Sequence, residues 1–249
     1  QSSHSSHVIS NLLTTTVTLR SFAVSKFEIT WDEWELCVKE RGCNTRLQNQ
    51  RGGDAGWGRG RKPVINVDHA DATSYVTWLS KKTRKTYKLL SESQWQYAAV
   101  GVSEARYPWG DEPPACDRNQ PNSAASPNCN LSSPAPVGSY QPNPFGLHDM
   151  AGNVFELLEE ACVVLFAGKL QTTDVPIDGA AHTGEARDFR NFDCYYVIPP
   201  KERLNLQSTN LLFRGGSFLA EHTSRDRITV EMDNWGYQDT GFRVARVIG

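Results

Sequence analysis

Apolar and polar positions change period several times along these 249 residues, and each change marks an element. Residues 14–22 alternate as a half-buried strand does, and 27–30 form a second short extended run. Thr30 then opens a helix, because Thr at the N-cap with Glu33 three positions on is a capping box. Trp31, Trp34, Leu36 and Val38 supply that helix with apolar positions. Residues 43–62 are rich in Gly and Arg without a period and read as loop. Over 68–82, Ala70, Ala72, Tyr75, Val76 and Leu79 form an apolar stripe that predicts a second helix. Residues 87–90 are extended. Residues 91–99 begin another helical segment, with Trp95, Tyr97 and Ala98 expected to face inward. From 107 to 144 the chain is loop-rich. Short strands follow from 146, interrupted between Cys162 and Cys194, and the last are 211–218 and 241–247. Early helices packed on short antiparallel strands, with much irregular loop, make an α+β class. With no repeat and no clear linker, 13–249 reads as a single domain behind a mobile, polar tail at 1–12.

Composition narrows the function classes. Formal net charge is −2 with no basic excess, so nothing asks for a nucleic acid. No apolar run approaches the roughly 20 residues of a membrane span; the longest candidate, 161–170, is far too short. The 7 Trp, 8 Tyr and 10 Phe argue for a packed core rather than disorder. The six cysteines lack the close CxxC or HxxxH pairs of a zinc site. Their spacing suggests local pairs, Cys37 with Cys43, Cys116 with Cys129 and Cys162 with Cys194, and hence an oxidising compartment. The alternative is buried free thiols in a reducing one. His4 and His7 in the tail read as part of a mobile leader rather than as metal ligands.

Several segments then line up in one order. FEIT at 27–30 is followed by Trp34, Cys37 and Val38; KPVINV at 62–67 by Asp71, Ala72, Tyr75, Trp78 and Leu79. YKLLSE at 87–92 leads to Trp95 and YAA at 97–99. YPWGD stands at 107–111, PVGS at 136–139, PN at 142–143, FGL at 145–147, DMAGNV at 149–154, FRGGSF at 213–218 and GFR at 241–243. The ordered set, from about 18 to 246, resembles the formylglycine-generating-enzyme (sulfatase-modifying factor) family, whose fold is of the C-type lectin kind. The cysteine pattern looks most like that of secreted bacterial members, which implies an extracytoplasmic, bacterial or phage-associated protein. Three departures stand out: Leu90 where the family has a proline, Phe155 and Leu157 where it has tryptophans, and a longer, more irregular 170–207.

The resemblance implies chemistry that these residues do not carry. Family oxidases hold copper on two cysteines just after the GGS strand, since a soft Cu(I) ion wants thiolates. Here Ala220 and Arg225 stand at those positions, so no copper and no catalysis of that kind are expected. A mononuclear iron site would want two His and a carboxylate; His148, His182 and His222 have no ligand spacing, and His148 reads as a packing residue. A divergent metal-dependent oxidase is the runner-up.

Two sites remain. For calcium, which takes six to eight oxygens, the family pattern assigns the Asp149 side chain, the Gly152 and Val154 carbonyls and the Glu156 side chain as a structural site. For recognition, the stretch 219–240 between GGSF and GFR mixes charged and aromatic residues without a period. It offers Leu219, Glu221, His222, Thr223, Arg225, Asp233, Asn234, Trp235, Tyr237 and Gln238 to a ligand. In one group of relatives, the variable proteins of diversity-generating retroelements, this stretch is diversified. The expectation is a non-catalytic binding domain whose partner is a protein or surface receptor; a structural module of a longer chain is a third class.

Overall fold

The computed structural model describes residues 18–45, 53–162, 210–220, 228–231 and 237–248. The elements run β1 (Phe22–Val24), α1 (Trp31–Lys39), α2 (His69–Thr83), β2 (Tyr87–Leu89), α3 (Glu92–Val100), β3 (Phe155–Cys162), β4 (Asn210–Arg214), β5 (Ile228–Glu231), β6 (Thr240–Gly241) and β7 (Val244–Val247), with one 3-10 turn at Pro127–Cys129. The class is α+β, as the sequence predicts, with a third helix beside the two early ones.

Each helix starts where a short polar side chain can take over an orphan backbone N–H. Thr30, Asp68 and Ser91 all sit in extended conformation and close capping boxes with Glu33, Asp71 and Gln94. Trp31, Trp34 and Cys37 face the core from α1. Tyr97, expected to face inward, is 40% exposed, as is the apolar Leu36 of α1. The reason is shared: two positions past a buried tryptophan lies about 200° around a helix, so Trp34 and Trp95 turn them outward.

Two sheets flank these helices. In one, β7 is central and pairs antiparallel with both β1 and β2. In the other the order is β5-β4-β3-β6, with β3 parallel to β6 and antiparallel to β4. The first strand is Phe22–Val24 rather than 14–22, whose residues 14–17 lie outside the described ones. Residues 27–30 are not a strand. Glu28, Ile29, Thr30 and Trp31 are all buried, which an alternating strand does not allow. Ile29 instead donates to Phe242 O at 2.9 Å and accepts from Val64 N at 2.8 Å.

The largest apolar cluster joins Trp31 and Trp34 of α1, Tyr75 and Trp78 of α2, and Leu157, Phe213, Phe242 and Val244 of the sheets. A second cluster gathers Leu90, Trp95, Ala98, Met150, Leu158 and Ala245. Trp34 and Trp95 are fully buried, and at 25 cal/mol per Å² each contributes on the order of 4 kcal/mol of transfer free energy. Disulfides join Cys37 to Cys43 and Cys116 to Cys129; the pair expected at Cys162 and Cys194, like the tail at 1–12, lies outside what is described. Among the described residues no helix is long and apolar enough to cross a membrane.

Candidate functional site

The DMAGN bend brings the chain from loop into β3. Asp149, Gly152 and Asn153 all have positive φ (59°, 79° and 65°). Gly152 is obligatory twice over, because a Cβ there would sit 2.1 Å from Ala125 O. The bend aims its polar side chains inward. Asn153, fully buried, accepts from Ala135 N at 2.9 Å and donates to Glu28 Oε2 at 2.6 Å. Glu28 also accepts from Val154 N at 3.3 Å.

Glu156 lies one turn of the pleat further on, 1% exposed. Both of its oxygens are engaged. Arg243 Nε lies 2.7 and 2.8 Å from Oε1 and Oε2, Arg243 Nη2 lies 2.6 Å from Oε1, and Trp95 Nε1 donates to Oε2 at 2.7 Å. The guanidinium spends its remaining donors on Ser25 O at 3.2 Å and His148 O at 2.8 Å. Asp149 Oδ2 accepts from Gly138 N at 2.8 Å.

Burial dominates the electrostatics here. It pushes Glu28 well above the ordinary carboxylate range, with Asp149 and Glu156 adding to the rise, while Arg243 and the Asn153 amide oppose it. Burial likewise pushes Asp149 up to about 6, held down by the Gly138 N–H and by Arg243. For Arg243, burial works against the charge, but Glu156, Glu28 and Asp149 outweigh it and keep the guanidinium ionised.

The four residues assigned to calcium thus do meet on one bend, where the Glu156 carboxylate is already engaged by Arg243 and Trp95. Glu156 has no oxygen that is not already paired with Arg243 or Trp95. Among the described residues no group of three or more His, Cys, Asp or Glu side chains is arranged to hold a metal.

The described feet of the 219–240 stretch are clasped together. At one foot Ser217 N donates to Ala220 O at 2.7 Å, and Ser217 Oγ accepts from Leu219 N and Ala220 N at 3.1 and 3.0 Å. The same hydroxyl donates to Asp239 Oδ2 at 2.8 Å at the other foot. Asp239 O in turn accepts from Phe155 N at 2.7 Å, and Tyr237 O from Asn66 N at 3.0 Å. Phe218 is buried, its ring edge-on to Trp57 with centroids 5.4 Å apart. Between the feet, β5 forms the edge of the four-stranded sheet, and the chain returns to β6 on the opposite edge. Leu219 is 50% and Tyr237 40% exposed, and Gln238 is exposed too. Glu221, His222, Thr223, Arg225, Asp233, Asn234 and Trp235 lie outside the described residues.

His148 packs as expected. Its ring lies 5.1 Å from that of Phe27, and Nδ1 is 2.7 Å from Tyr140 O. The sequence reading missed the Glu156–Arg243 pair and the Ser217–Asp239 clasp. Their only signal was the place of Ser217 in GGSF and of Arg243 in GFR, since partners 87 and 22 residues apart leave no periodic trace.

Comparison with known proteins agrees with this architecture. Formylglycine-generating enzymes from Streptomyces coelicolor and Thermomonospora curvata are 34% identical over 163 residues (61% of this chain, 49% of theirs) and 36% identical over 114 residues (39% and 33%). The serine/threonine-protein kinase pkn1 of Chlamydia caviae is 38% identical over 104 residues, 41% of this chain and 14% of the kinase. The matched stretches span at most about half the length of these curated relatives. Among solved structures, PvdO from Pseudomonas aeruginosa superposes with TM-score 0.62 at 27% identity, covering 91% of this chain and 80% of that one. Treponema denticola variable protein 1 has the same fold, with TM-score 0.60 at 20% identity, covering 92% of this chain and 86% of that one. The sulfatase-modifying factor enzyme 1-like domain matches residues 8–248, and the chain belongs to that family.

Proposed function

We propose that this chain is a non-catalytic binding domain that recognises a protein or surface receptor, outside the cytoplasm, through the arch at 219–240. The observation that carries the reading is chemical: after Cys194 the sequence has no cysteine, and Ala220 and Arg225 stand where a copper-using relative holds its metal. Cys37, Cys43, Cys116 and Cys129 are consumed in disulfides, which also favours an oxidising compartment. The arch itself supports recognition. Its roots are fixed by the Ser217–Asp239 clasp, and it displays Leu219 and Tyr237 to solvent. A rigid base under exposed aromatic and aliphatic side chains lowers the ordering cost of binding. Sugar recognition does not follow from the fold.

The test is direct. Protein supplied with Cu(I) and a cysteine-containing sulfatase-type peptide should yield no aldehyde and consume no oxygen; turnover of the thiol ends the proposal. The retroelement form of the reading is sharper still: natural alleles should differ at positions such as Leu219, Glu221 and Tyr237 and almost nowhere else. The relatives that are formylglycine-generating enzymes favour a second reading, a divergent metal-dependent oxidase. Iron or copper retained at one equivalent after purification without chelators would select it.

A further inference from the structure

We infer that Arg243 fills the structural role that a calcium ion would otherwise play on the 149–156 bend, so that this bend is held together without a divalent cation. A calcium ion at such a bend does two things: it neutralises converging carboxylates, and it ties together chain segments that are distant in sequence. Arg243 does both. It neutralises Glu156 through a bidentate contact at 2.7 and 2.8 Å, and lies near enough to Glu28 and Asp149 for their charges to keep it ionised. It also joins three segments, through Ser25 O after β1, His148 O before the bend and Glu156 in β3. Trp95 of α3 takes the outer side of the same carboxylate. The guanidinium is planar and permanently charged, with five donors to distribute. A buried pair of this kind is stable only when its remaining lone pairs and protons are satisfied, and both partners are 1% exposed with such partners in place.

For a divalent ion to enter, Glu156 would have to give up Arg243 and Trp95, leaving a buried guanidinium without its carboxylate beside the incoming charge. Asp149 Oδ2 is taken by Gly138 N, and Glu28 by Asn153 and Val154 N.

Two measurements test this. Wild-type protein melted in excess EDTA and in about 5 mM CaCl2, above the roughly 0.1–1 mM at which extracellular calcium modules bind, should give the same Tm. A bound ion would raise it by a few degrees, and a Tm that climbs with calcium concentration overturns the inference. The Glu156→Gln variant should lose the same number of degrees in EDTA and in calcium, because its partner is Arg243 in both. A loss seen in calcium and absent in EDTA would make Glu156 a metal ligand and overturn the inference. If the variant does not fold, the wild-type titration decides alone.

Discussion

Phe218 N donates to Asn153 O at 2.9 Å, and on the two sides of that bond the chain is put to opposite uses. Below it, Glu28, Asn153, Glu156 and Arg243 are at most 1% exposed and satisfy one another. Above it, Leu219 and Tyr237 stand half in solvent beside the Ser217–Asp239 clasp. In the lower region one change leaves a charge or donor stranded in low dielectric, which costs more than the lost contact itself. In the upper region a change leaves no such residue behind. A scaffold divided this way tolerates variation where it meets the outside and resists it a few ångströms beneath.

The contrast can be broken from below. Arg243→Met should cost about 3–5 kcal/mol, because Glu156 is left buried without its counter-charge; the urea midpoint measures it. A loss under about 1 kcal/mol would mean that the pair is reached by water and that the two regions differ less than the geometry says.

A subtler effect comes from Glu28. Its folded value is raised by burial, so its contribution to stability is present below the unfolded value near 4.3 and is lost as pH rises through the raised folded value. Glu28→Gln keeps the shape and removes the titration. Its Tm should fall less than that of the wild type as pH rises from about 4 to 8. Asp149, raised to about 6, has the same sign and leaves part of the slope in place. Identical profiles for the two proteins would show that Glu28 does not change charge over that range.

The smallest stability effect belongs to the arch. The double substitution Leu219→Ala with Tyr237→Ala should move stability by no more than about 0.5 kcal/mol while weakening any partner that uses this face. A larger loss in chemical denaturation would place those side chains in the core of the fold rather than in the proposed binding face.

Much of this architecture was legible in sequence because its signals are local. The capping residues Thr30, Asp68 and Ser91 and the apolar stripe of α2 act within four residues of themselves. The motif order carried the fold class for the same reason, each motif being a turn or cap that its own residues dictate. What the sequence hides lies with neighbours and distant partners. Tyr97 is aromatic, but Trp95 had already claimed the inward face. Glu156 meets Arg243, 87 residues on, only once the chain is folded. The sequence names the carboxylate and is silent about which cation meets it.

The pairing of β1 with β7 has a mechanical consequence. Phe22 faces Val247 and Val24 faces Ala245, so the start of β1 and the end of β7 stand side by side at one end of a two-strand ladder. Tension applied through residues before Phe22 and after Val247 would peel that ladder one rung after another instead of shearing all its rungs together. The domain should therefore yield at low force when pulled from its ends, starting at its outermost strand and well before the buried charges are disturbed.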